Sequence, residues 1–138
     1  MKYTPIIVLL SLYTFAQNNL MEFSIDTIEV TNAEELVVPI SVNGLDNIIS
    51  LQGTISFDPM VLSYVSSSSL ELQLPISFGE SQVDSGIITY SWYDPALNGL
   101  SYVNSVNLFN IEFNIIEEYA GSTEINFINT PTLLEVID

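Results

Sequence analysis

Apolar residues at every second position constrain this chain more than any other feature. Leu36, Val38, Ile40 and Val42 alternate with Val37, Pro39 and Ser41, and Leu51, Gly53, Ile55 and Phe57 alternate with Gln52, Thr54 and Ser56. The same period recurs in Phe23 and Ile25, in Leu70, Leu72, Leu74, Ile76 and Phe78, and in Ile88, Tyr90 and Trp92. It returns in Phe109, Ile111, Phe113 and Ile115, then in Ile125 and Phe127, before a last apolar stretch over residues 133–137. Successive side chains of a strand point to opposite faces, so a period of two describes strands buried on one side. Turn signals separate the runs: Asn43-Gly44, Asp58-Pro59, Gly79, Asp84-Ser85-Gly86, Asp94-Pro95, Asn98-Gly99, Gly121 and Asn129-Thr130-Pro131. Only residues 59–62, led by Pro59, suit a helical turn. Many short strands between turns give an all-β antiparallel sandwich or barrel. Pro39 and Pro75 interrupt strand-like runs and belong at edges or bulges, because proline offers no ladder donor.

Such a fold needs a dry interior. Of 138 residues, 48% are hydrophobic, enough for the core of one domain. The rest of the composition narrows the chemistry. Asp and Glu number 17 against one Lys, Lys2, and there is no His and no Cys. Binding to nucleic acid or to an anionic membrane surface is excluded, since both draw on Lys and Arg. Thiol chemistry, disulfides, Ser-His-Asp triads and ordinary zinc sites are excluded as well. A glycosidase needs two carboxylates flanking a sugar; Asp58, Asp94 and Glu112 are available, but no sequence pattern links them. No EF-hand loop is present, and the acidic groups at Asp84 and at Glu117-Glu118 read as solvated surface, with direct calcium binding there as the alternative. The expectation is a chain with no catalytic residue, no metal site and no cofactor of its own.

The amino terminus reads differently. Lys2 precedes an apolar run over residues 3–15, closed by Ala16. A positive start, a short apolar stretch and a small residue describe a secretory signal peptide over residues 1–16, cut between Ala16 and Gln17. The alternative for this stretch is a buried strand. The run falls short of the ~20 residues a membrane span needs. The mature chain, residues 17–138, is then expected to be secreted or surface-associated, with no membrane insertion. It would carry no basic side chain, so salt or calcium is expected to relieve carboxylate repulsion and raise the melting temperature.

If the alternating apolar residues point inward, their neighbours form the surface. That outward set is Gln52, Thr54, Ser56, Thr89, Ser91, Tyr93, Asn110, Glu112 and Asn114, mostly short neutral hydrogen-bonding groups in a strongly acidic chain. Charge depletion around an aromatic suits the centre of a protein interface, although Ser and Thr are also ordinary residues of a solvated strand. On this reading Gln52→Lys with Thr54→Arg abolishes partner binding at little cost in stability. The rival is a carbohydrate-binding or adhesive envelope module in which Trp92, Tyr93 and Tyr102 stack on a polysaccharide. Trp92 shares the inward parity of Ile88 and Tyr90, which favours the core for it.

Two segments together resemble a cohesin domain. Residues 36–62, LVVPISVNGLDNIISLQGTISFDPMVL, carry a Val-Pro-x-x-Val strand and an alternating strand ending in aromatic-Asp-Pro-x-x-Leu. Residues 86–115, GIITYSWYDPALNGLSYVNSVNLFNIEFNI, carry a Gly-opened aromatic strand, a polar loop and a Leu-Phe-x-Ile-x-Phe strand. The Ser-Trp-Tyr-Asp-Pro segment is more similar to Bacteroidetes-type cohesin-like modules than to clostridial ones. The resemblance implies an immunoglobulin-like antiparallel β-sandwich of jelly-roll topology with about nine strands. It implies a non-catalytic module whose flat sheet face grips a dockerin, with calcium on that partner, in attaching polysaccharide-degrading or surface proteins. It assigns Ser50 and Gln52 to a partner-contacting strand and Asp94 to an acidic contact after the aromatic strand. Family members continue into a closing strand, so a chain ending at Asp138 is expected to lack that strand or to borrow one.

Overall fold

The structure, a computed structural model, describes residues 6–9, 11–17, 19–30, 35–69, 76–116 and 121–138. The alternating runs become strands β1 (Ile6–Leu9), β2 (Ser11–Gln17), β3 (Asn19–Ile25), β4 (Ile28–Val30), β5 (Glu35–Asn43), β6 (Ser50–Ser56) and β7 (Leu62–Ser68). They continue with β8 (Ser77–Gly79), β9 (Ile87–Tyr93), β10 (Val106–Ile115), β11 (Ser122–Glu124), β12 (Asn126–Ile128) and β13 (Glu135–Ile137). One sheet has the order β2-β3-β5-β10-β7. A second has the order β12-β6-β9-β8, with β13 also pairing β6, and a small third sheet is β11-β1-β4. Every described ladder is antiparallel except that of β1 with β11.

The two large sheets pack face to face, and aromatic rings mark the contact. Phe23 on β3 meets Phe127 on β12 edge-on, while Phe109 on β10 meets both Phe78 on β8 and Tyr90 on β9. Phe57 just after β6 packs against Phe113 on β10 at 4.8 Å between ring centres. Tilted and edge-on pairs suit the ring quadrupole and add to the apolar area removed from water. Among the described residues, the alternating apolar side chains from Leu36 to Phe127 fill this gap or pack against it as expected, Trp92 among them. The antiparallel β-sandwich of jelly-roll type is therefore present. It has more strand segments than the expected nine because short turns divide the edges, as residues 129–134 divide β12 from β13 along one side of β6.

Pro39 lies in a central strand, yet where little is lost. The β3–β5 ladder ends at Ile25 opposite Ile40, and the register of β10 slips just before Phe109, beside the Asn110–Pro39 pair. That bulge breaks the sequence period: Leu108 and Phe109 are adjacent and both buried. Residues 59–62 form the expected turn. The Asp58 carbonyl accepts from the N–H groups of Val61 and Leu62, and its carboxylate accepts from Met60 N–H at 2.9 Å. Gly86 has φ 76°, and a Cβ there would strike the Phe57 carbonyl oxygen. Its own carbonyl accepts from Phe57 N–H at 2.9 Å, so only glycine both opens β9 and clamps it to the end of β6.

Part of the stretch read as an export signal is strand here. β2 runs along the whole of β3, from Ser11 opposite Ile25 to Gln17 opposite Asn19. Lys2, Leu70, Leu72, Leu74, Pro75 and Glu117-Glu118, on which sequence expectations also rested, lie outside the described residues.

Candidate partner-binding face

The outer face of the second sheet is built from cross-strand rows. Ser50 lies opposite Tyr93 on β9 and Ile137 on β13. The next row is Glu135, Gln52, Ser91 and Ser77, followed by Ile128, Thr54, Thr89 and Gly79, then Asn126, Ser56 and Ile87. Ser91 and Tyr93 are exposed, while Ser50, Gln52, Ser56 and Thr89 are half-buried. One sheet thus brings seven sequence-predicted residues onto one side: Ser50, Gln52, Thr54, Ser56, Thr89, Ser91 and Tyr93.

Three expectations need correction. Asn110 and Glu112, with Asn114, belong to β10 in the other sheet. Their neighbours Phe109, Ile111 and Phe113 fill the gap between sheets, so the three polar residues face away on the opposite side of the molecule. The expected single plane is therefore two faces: a period of two tells inside from outside but not which layer a strand joins. Locally, Glu112 accepts from Ser66 Oγ at 3.1 Å, and Asn110 Oδ1 accepts from Asn107 Nδ2 at 2.8 Å.

Thr54 has outward parity but is only 1% exposed. Its hydroxyl donates to the Thr132 carbonyl at 2.7 Å and accepts from Thr132 N–H at 3.0 Å, tying down the segment between β12 and β13. An arginine at position 54 would thus test stability rather than docking. Asp94, expected as a free acidic contact, is spent on its own loop. Its carboxylate accepts from Ala96 N–H at 2.9 Å, Asn98 N–H at 2.8 Å and Gly99 N–H at 3.2 Å.

Sequence reasoning missed β13. Glu135 and Ile137 both belong to the face, and Gln52 Nε2 donates to Glu135 Oε2 at 3.0 Å. Reading residues 133–137 as alternation rather than as one apolar stretch would have found them, since Leu134 is buried and Val136 packs on the core between them. Glu135 is the only charged residue in β6, β8, β9, β12 and β13. In a chain with 17 acidic residues, that leaves a nearly neutral plane with one carboxylate near its edge. Among the described residues no cluster of acidic side chains could hold a metal ion. The stacking platform does not assemble: Trp92 is buried, Tyr102 packs partly on the core, and Tyr93 alone is exposed.

Sheet order and inward aromatic pattern define an antiparallel β-sandwich with one nearly neutral outer face, and comparison places it. The cohesin-domain family model matches residues 21–135. The chain belongs to the cohesin family. Solved structures agree on the fold. The sixth cohesin of scaffoldin B from Acetivibrio cellulolyticus, crystallised with a dockerin, has a TM-score of 0.66 at 22% identity over 77% of this chain and 79% of that one. The seventh ScaB type I cohesin from Pseudobacteroides cellulosolvens gives 0.56 at 14% identity over 97% of both chains. The OlpA cohesin of Clostridium thermocellum, in a type I cohesin–dockerin complex, gives 0.56 at 11% identity over 91% and 99%. No curated protein matches the chain in sequence.

Proposed function

We propose that the chain is a non-catalytic recognition module that binds a dockerin-type domain through the outer face of the β12-β6-β9-β8 sheet. One observation carries the reading. The five strands of that sheet hold a single charge, Glu135, in a chain of formal net charge −16. Acidic residues kept off one flat face leave it free to be desolvated against a partner at low electrostatic cost. Membership of the cohesin family, and solved relatives whose descriptions name dockerin complexes, point to the class of partner. The acidic remainder of the surface steers a basic partner toward the module. Calcium belongs on the partner, and the assembly attaches secreted polysaccharide-degrading or surface proteins.

Export through residues 1–16 fits this role, and cleavage after Ala16 would take β1 and all of β2 but Gln17 out of the sheets, leaving β3 as an edge strand. Lys2 is the only Lys or Arg, so an exported chain cut after Ala16 offers trypsin no site even when denatured. Mass spectrometry of the exported protein should show Gln17 at its start; a mature chain retaining Lys2 would refute cleavage. For the module, capture of a dockerin-type domain in calcium and its release in EDTA is the expected behaviour. Retention on insoluble polysaccharide without any protein partner would favour the carbohydrate reading.

A further inference from the structure

The loop that leaves β9 presents an unusual residue. Leu97 has φ 54°, a left-handed conformation that a bulky side chain seldom adopts, and it is 70% exposed. Neither feature has a local benefit: the residue buries little, and glycine or asparagine would fit the backbone better. The conformation is imposed from several directions. The Asp94 carboxylate holds three N–H groups around it, and Leu97 N–H donates to the Asp94 carbonyl at 3.1 Å. A second loop is zipped alongside: Ile48 and Leu100 exchange both backbone bonds, Asp94 N–H donates to the Ile49 carbonyl, and Tyr102 N–H to the Leu45 carbonyl. Gly99 is pressed so closely on Asn47 that a Cβ would not fit. Backbone strain that the surroundings over-determine is a mark of ligand-clamping positions.

The place of this residue supplies its use. Tyr93, 68% exposed, ends β9 and starts the row that continues through Ser50 to Ile137, 45% exposed. Leu97 follows Tyr93 by four residues, so this end of the face, like the rows of Ile128 and Ile87 further along, carries apolar groups, and here they are exposed. Resting on the docking reading above, we propose that Leu97 is the apolar anchor of the interface. It enters an apolar recess on the dockerin-type partner, a recess bordered by basic side chains that meet this acidic chain. A loop backbone already held in its bound shape loses little freedom on binding, so only the exposed Leu97 side chain has to be ordered, and this is how preorganised loops gain affinity.

The test separates anchoring from scaffolding. A calcium-loaded dockerin-type domain is first chosen from a displayed panel as the one binding the unaltered chain most tightly. Leu97→Gly, which relaxes the backbone, should keep or raise the melting temperature and weaken that binding about tenfold or more. Leu97→Asn should behave alike. Met60→Ser, exposed at the far end of the sheet on the β6–β7 turn, should leave affinity unchanged. Gln52→Lys reports on the face itself. If Gln52→Lys weakens binding while both Leu97 variants bind as the unaltered chain does, the anchor is refuted and the docking face stands. If no panel member binds the unaltered chain, the docking reading fails and the anchor fails with it.

Discussion

Gln52 and Glu135 lie directly opposite each other on β6 and β13, with Gln52 Nε2 donating to Glu135 Oε2 at 3.0 Å. The amide orients the one charge of an otherwise neutral sheet. Glu135→Lys is expected to weaken dockerin binding at least tenfold, with most of the loss at low salt, because it reverses that charge. Stability should change by no more than about 0.5 kcal/mol, as for most exposed positions. Surface-immobilised binding at two ionic strengths, beside a urea titration, measures both; unchanged affinity would place the contact elsewhere.

Thr54 holds the segment between β12 and β13 through both polar groups of Thr132. Thr54→Val keeps the shape and leaves those two groups without their partner, at an expected cost of about 1–3 kcal/mol. Urea unfolding should show a lower midpoint with an unchanged slope. A midpoint equal to that of the unaltered chain would mean that water replaces the hydroxyl.

Tyr64 on β7 is bridged to the other sheet through the Glu80 carboxylate, with Ser67 Oγ at 2.9 Å from the same hydroxyl. Burial first, and the carboxylate acceptor second, push its pKa up to about 12. Folding therefore favours the neutral phenol. The stability this contributes is complete below the ordinary phenol value near pH ~10 and is lost as pH rises through about 12. Burial also raises Tyr90, which adds to the alkaline loss from deeper in the core. Tyr64→Phe should flatten the fall in unfolding free energy over this alkaline window without abolishing it. A fall as steep as in the unaltered chain would show that the bridge is not the titrating element.

Seventeen carboxylates against one lysine leave the folded surface repelling itself. Added sodium chloride and, more strongly, calcium chloride should raise the melting temperature at neutral pH by screening and by counter-ion binding. Calorimetry across both titrations tests this, and a flat response in each would contradict it.

The sequence revealed the architecture more readily than the site. Inward residues such as Ile55, Tyr90, Trp92 and Phe113 could be named because burial on one side writes its own period. Parity carries no information about layers, which is why Asn110 and Glu112 were grouped with Gln52 although β10 lies in the other sheet. It also misses tertiary cover: Thr54 has outward parity, and only the path of residues 129–134 buries it. Leu108 escaped because a bulge breaks the period locally. Glu135 and Ile137 were hidden in a short strand whose alternation shows only once Leu134 and Val136 are seen to face the core. Asp94 was assigned as a contact by the family resemblance alone, which does not reveal that this carboxylate satisfies the N–H groups of its own loop.

The two outer faces can be set against each other in one experiment. Affinity for a calcium-loaded dockerin-type domain is measured by calorimetry for Gln52→Lys with Ser91→Arg, and for Asn110→Lys with Asn114→Arg on the opposite side. The first pair should abolish binding while the second leaves it within about threefold, a difference under ~1 kcal/mol. Loss of binding only in the second pair, with both proteins folded, would contradict the assignment of the docking face.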